Sequence, residues 1–388
     1  MRVIVGAAIG ACLLATSCRG AGRVATSDRP EVRVDTISGA HVRVMNSSLN
    51  RASRSLLQQD LKLGTTFESP AAFSEVVDFL VDEKGAMYVL DQMAQEVRVF
   101  DSGGVFTHVI GRKGAGPGEF RGAYGLAWSP SSTLWIADFG NRRYSEFARD
   151  GTLLSAHSVS FTHSRPWATM GFDEAGLLYD EVYHAGRLFV RRLDFRAGTT
   201  DSTFLTDRAG APGFFTGRGR ASYSLPFGWR FVWHPDGRGY LWTARTDRYA
   251  IDRQAFRGDT VLTIVADLPA LPVTGRERHD AIAGLERAQR RFGDRTELDY
   301  SRIPRIHPPI ESFDVDDEGR IWVRPVSHDS LVRFDVFGPD GHFLMGVDGP
   351  WMVWPVRPVR IRANAVYCVV KDSLGVSYVV RGRLQPRQ

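Results

Sequence analysis

A chain of 388 residues with 43% hydrophobic side chains can form one large or two ordinary domains around a sizeable core, which excludes disorder for most of its length. Its 49 basic and 44 acidic residues give a net charge of +5, but Arg is scattered among Asp and Glu, which argues against a nucleic-acid surface. The three cysteines form no CxxC pair and no disulfide framework.

The first residues, MRVIVGAAIGACLLATSC, carry one Arg, an apolar run from Val3 to Ala15 and small residues before Cys18. A run of about 13 residues is short for a membrane span, which needs roughly 20, and has the length of a signal-peptide core. Leu14-Ala15-Thr16-Ser17-Cys18 resembles the lipobox of bacterial lipoproteins, which implies a signal peptide over 1–17 and a lipid on Cys18. Residues 18–30 are small and polar and read as a flexible tether, and residues 31–388 as the folded part.

VRVDTIS and AHVRVM, within Val32 to Val44, read as strands, while Asn46 to Leu61 is polar and carries no assignment. From Val77 to Phe120 four short strands alternate with turns at Asp82–Gly85 and Asp101–Gly104, a meander that cannot bury both faces alone. A second copy runs from Tyr124 to Val159. Gly104 and Gly151 lie about 47 residues apart, the spacing of propeller blades. Weaker copies run from Ala168 to Phe195 and from Arg230 to Phe256, and a clear one starts at Phe313. The C-terminal stretch, with Cys368 as a buried, inert core residue, supplies three more strands. Adding the strands at 32–44 completes an all-β, six-bladed β-propeller whose last blade is closed by N- and C-terminal strands. Between the fourth and fifth copies, residues 267–309 form an insertion. Ile282, Leu285, Ala288 and Phe292 recur there at helical spacing, Arg287, Arg290, Arg291 and Arg295 fall largely on other faces, and Gly293 marks the stop.

The run GRKGAGPGEF from Gly111 to Phe120, followed by GLAWSPSSTLWIADFGNRRYSEFARDG, resembles an NHL repeat. From about residue 30 the chain resembles the six-bladed propeller lipoproteins of bacterial envelopes; blades three and four depart from the pattern by lacking its Asn-x-Arg element. The resemblance implies the fold but not one function, because NHL-like propellers include protein-binding platforms, RNA-binding domains, a peptide-amidating lyase and, more distantly, metal-dependent lactonases.

Each candidate site has two readings. The Gly111–Phe120 loop is either a phosphate cradle or, lacking a following helix, a structural turn between blades. Asp91 and Asp138, at equivalent strand ends, are either channel ligands or turn caps; Arg245 and Pro325 at the matching places break any ring of carboxylates. His163, His184, His234, His307 and His328 fall in or near loops of separate blades, with no HExxH or other local pair, so no metal set and no catalytic residue is assigned. Aromatic and Arg residues between blades suit a binding face, and Trp167, Trp229, Arg230, His307 and Trp351 are its candidates, with Phe214, Phe215 and Trp354 nearby. The expected function is a lipid-anchored binding module for a protein or small ligand, acting as a monomer without cofactor or nucleic acid. The resemblance places it at the outer membrane facing the periplasm. The alternative is a metal-dependent hydrolase or lyase on the same fold, which alone would call for calcium or zinc.

Overall fold

The computed structural model describes residues 32–47, 49, 54–65, 69–160, 169–184, 187–207, 214–216, 222–329, 331–353 and 358–385. Its strands follow the turn signals. After a hairpin, β1 (Val32–Ser38) and β2 (His41–Asn46), and a long strand, β3 (Arg54–Leu63), the first blade is β4 (Val76–Val81), β5 (Met87–Asp91), β6 (Glu96–Phe100) and β7 (Phe106–Ile110). The second is β8 (Ala123–Trp128), β9 (Leu134–Asp138), β10 (Arg143–Phe147) and β11 (Leu153–Ser158). The third is β12 (Gly171–Phe172), β13 (Leu178–His184), β14 (Arg187–Asp194) and β15 (Thr199–Asp207). A small hairpin, β16 (Phe214–Thr216) and β17 (Ser222–Ser224), precedes the fourth blade: β18 (Phe231–Pro235), β19 (Tyr240–Arg245), β20 (Ala250–Ala255) and β21 (Thr260–Ala266). Helix α1 (Gly275–Phe292) precedes the fifth: β22 (Ile310–Val315), β23 (Ile321–Pro325), β24 (Leu331–Phe337) and β25 (Phe343–Met352). The sixth is β26 (Val359–Arg362), β27 (Ala365–Lys371) and β28 (Ser377–Leu384), with β3 as its outer strand.

The six innermost strands touch in a closed circle, β4 to β8, β12, β18, β22, β26 and back to β4, so the ring has six blades. Six of the seven hydrophobic clusters found among the described residues lie between consecutive blades. This is how the repeated meander solves its burial problem: each sheet covers the apolar face of its neighbour.

The recurrent Asp-x-x-Gly turns have a common cause. In the β4–β5 turn, Asp82 Oδ1 accepts hydrogen bonds from the Lys84 and Ala86 amides at 2.9 and 2.8 Å, and Gly85 takes φ 83°. Asp236 and Asp316 make the same pair of bonds in blades four and five.

Ring closure uses both chain ends, but through a different segment from the one expected. The polar stretch left unassigned contains β3, which pairs antiparallel with β28 and parallel with β25. Outer strands of blades are half-exposed, so β3 needs only sparse apolar residues, with Leu57 and Leu63 buried, and shows no strong alternation. The β1–β2 hairpin instead joins blade four, where β2 runs parallel to β21.

Helix α1 begins at Thr274 in a capping box with Glu277 and ends at Gly293 in the left-handed conformation. Leu285 is buried, and Ile282 and Ala288 pack beside it against Phe215, Tyr223 and Leu225 of the β16–β17 insert, forming the seventh cluster. Phe292, expected on that apolar face, is 69% exposed and lies outside the insert core.

Candidate functional site

In an antiparallel meander the second-to-third turns and the links between blades share one end of the ring. That end carries both inserts. Residues 271–273 pair with 305–307 through backbone bonds such as Val273 N to Arg305 O and His307 N to Leu271 O, so the second insert rises on a short two-stranded stem.

The stem brings three separated residues together. Glu277 Oε2 accepts hydrogen bonds from the Thr274 backbone N and Oγ1, both at 2.7 Å, while Oε1 faces His307 Nε2 at 3.2 Å and His328 Nδ1 at 3.5 Å. The His307 side chain is 9% exposed and its ring stands edge-on to Phe227, with centroids 4.9 Å apart. His328, on the loop after β23, is exposed. Burial opposes ionisation of Glu277, but the Thr274 hydrogen bonds and the contact with His307 outweigh it and hold the carboxyl down at about 2. Among the described residues this is the one group of three whose donor atoms suit a metal ion, all within 4.8 Å of one another. Sequence reading flagged both histidines but not Glu277. Their separations, 30 and 21 residues, give no local motif, and the one local signal at Glu277, the Thr-x-x-Glu pattern of a capping box, speaks of a helix start and not of a ligand.

The remaining candidates lie apart from this group or are already engaged. Cys18, Trp167, His163 and Trp354 lie outside the described residues. Trp229 is half-buried beneath the Arg245 guanidinium, 4.4 Å from its ring centre. Arg230 donates through Nη2 to Glu311 O at 3.2 Å and, through its backbone, to Thr246 Oγ1. Both belong to the insert-bearing end. Trp351 does not form a binding face: it is 7% exposed between blades five and six, where Gly349 and Gly382 make room for its ring, and Nε1 donates to Gln59 Oε1 at 2.6 Å. Phe215 is buried in the insert core.

Asp91 and Asp138 are saturated by the backbone. Asp91 accepts from the Ser74, Glu75 and Met93 amides, and Asp138 from those of Arg121, Gly122 and Asn141, which leaves them as turn caps. The glycine-rich loop is equally self-contained: Asn141 Nδ2 donates to Gly114 O and Glu119 O, and Arg143 Nη2 to Gly116 O and Glu119 O. The Asn-x-Arg element therefore holds the carbonyls of the preceding interblade loop, while the Gly114, Gly116, Glu119 and Phe120 amides bond within the loop to Phe120 O, Glu119 Oε2, Gly116 O and Arg112 O.

Deeper in the channel, Arg360 Nη2 meets Asp78 Oδ1 at 2.7 Å, and His234 Nε2 lies 4.0 Å from Asp314 Oδ1. Burial raises both carboxyl groups and lowers His234, with the paired charges acting against the shift in each case. Asp78 also accepts from Leu126 N of the next blade, so this cluster pins inner strands together. His184 ends β13 and is not part of the Glu277–His307–His328 group, and Cys368 is fully buried with its thiol pushed up to about 12 by desolvation.

The comparisons agree with the ring. Residues 63–125 match a family model described as a 6-bladed beta-propeller. No curated protein matches the chain in sequence. A structure from Bacteroides fragilis, described as an exported protein, is similar at TM-score 0.53 and 12% identity over 89% of this chain and all of that one. A member of the DUF4221 family from Bacteroides vulgatus is similar at TM-score 0.50 and 11% identity, covering 85% of this chain and 97% of its own. A gluconolactonase from Xanthomonas campestris reaches TM-score 0.41 at 14% identity over 78% and 83% of the two chains, too remote to bear on chemistry. These likenesses establish the fold alone.

Proposed function

We propose that this chain is an exported, lipid-anchored propeller of the cell envelope that binds a protein or small ligand on the insert-bearing end of its ring. One observation carries the reading. The loops after blades three and four have grown into the β16–β17 hairpin and α1, which share a core of their own and stand over an end where Trp229, Arg230 and His328 are not fully buried. The apolar run from Val3 to Ala15 and the small residues before Cys18 support export and lipidation, and Arg19 after Cys18 resembles lipoproteins sorted to the outer membrane. A metal-dependent hydrolase or lyase is the second reading, favoured by the meeting of Glu277, His307 and His328 and no longer by the strand-end carboxylates.

A photo-crosslinking residue at His328, compared with one at Lys84 in the β4–β5 turn of the opposite end, tests the binding face in intact cells. Capture of a discrete adduct from position 328 and none from 84 is expected; equal labelling at both ends would overturn the reading. Cys18→Ser should release the chain from the membrane fraction, and unchanged membrane retention would remove the anchor.

A further inference from the structure

We propose that Glu277, His307 and His328 form a binding site for a zinc-class divalent transition-metal ion, a property independent of the ligand-binding reading above. The donor set, two imidazole nitrogens and one carboxylate oxygen, suits zinc and its neighbours rather than calcium or magnesium, which take oxygen ligands in larger number.

The spacing fits as well as the chemistry. Zinc bonds of about 2.0–2.1 Å at tetrahedral angles place neighbouring donor atoms roughly 3.3 Å apart. Glu277 Oε1 already lies 3.2 Å from His307 Nε2 and 3.5 Å from His328 Nδ1. An ion can therefore lie between them with those two edges nearly unchanged. The third edge, between the histidine nitrogens, is within 4.8 Å, and a small movement of the exposed His328 side chain that adjusts both of its edges closes it.

The surroundings orient the ligands. Thr274 fixes Glu277 through its other oxygen, leaving Oε1 aimed at the histidines. Buried His307 is held by its backbone bond to Leu271 and by the Phe227 edge, and its Nε2 meets Glu277 at ion-pair distance without hydrogen-bond alignment. Three protein donors leave a tetrahedral ion one open position, on the side of exposed His328, so an external ligand can reach the metal.

The test is titration of the full chain, in detergent and freed of metal by chelator dialysis, with Zn²⁺ alone by calorimetry and with Co²⁺ by visible absorption. One equivalent of zinc, and the intense absorption of four-coordinate cobalt, are expected. His307→Ala and His328→Ala should each weaken zinc by more than the roughly 10–100-fold that loss of an outer-sphere partner costs. Glu277→Gln removes the charge but keeps a capping-box acceptor at that position, so weakened zinc binding with unchanged helix content isolates the ligand role from the capping role. Absence of stoichiometric binding, or binding that survives both histidine substitutions, overturns the proposal.

Discussion

Blade two and the region from blade three to blade five solve the same interblade problem in opposite ways. In blade two the preceding glycine-rich loop folds back on itself, and Asn141, Arg143 and Asp138 take up its backbone groups. Where that motif is missing, the loops lengthen, pair into a hairpin and a stemmed helix, and bury Leu285, Phe215 and Tyr223 among themselves. The motif ties a loop to its own blade; in the other region longer loops build a second layer in which Glu277, His307 and His328 meet.

The sharpest break of this contrast is Phe120→Ala. Its ring is fully buried against Phe147 and lies where a side chain on Gly111 would go, so about 4 kcal/mol of global stability should be lost in denaturant melts. Leu285→Ala should cost about 3 kcal/mol, but locally: hydrogen exchange in α1 should accelerate while the unfolding midpoint of the ring stays in place. If the midpoint falls with it, the inserts are not a separate core. Asn141→Ala removes the side-chain donor to the part-buried Gly114 O and leaves Glu119 O to Arg143 alone, and should cost about 1 kcal/mol, with faster proteolysis confined to residues 111–122.

A further effect concerns closure by β3. Burial tends to raise the Asp60 carboxyl, but hydrogen bonds from Arg381 and Arg383 outweigh it and hold its folded value below that of the unfolded chain. Such a group contributes stability above a pH of about 4 and loses it as pH falls through the folded value. Asp60→Asn should flatten that part of the acid unfolding curve, by about 1 kcal/mol. The smallest expected signal is chemical. In a Cys12→Ser, Cys18→Ser chain, Cys368 should resist alkylation at neutral pH until blade six opens; reaction at the rate of an exposed thiol would contradict its burial.

The fold was legible because its determinants are local: each Asp-x-x-Gly turn and each alternating run announces itself within ten residues. Strand β3 escaped because an outer strand with solvent on one side needs few apolar residues, and its partners lie at the far end of the chain. The candidate site was half legible. His307 and His328 stood out as loop histidines, but Glu277 was hidden in a helix whose arginines and apolar stripe drew attention first. Only the pairing of 271–273 with 305–307 brings it beside them. Trp351 misled because β25 is long enough to carry its last residues back into the core between blades.

The placement of β3 has a consequence for how the protein is made. Arg54 reaches Asp335, Asp348 and two backbone carbonyls of blade five, and Asp60 reaches Arg381, a partner 321 residues later in the chain. Bringing such distant segments together costs about 5 kcal/mol of loop-closure entropy if nothing between them is yet ordered, and much less once five blades have formed. The sixth blade therefore cannot lock before residues 377–384 are available to β3. Until β28 has been made, β3 has no antiparallel partner to complete the sixth blade, and its edge stays open for that time.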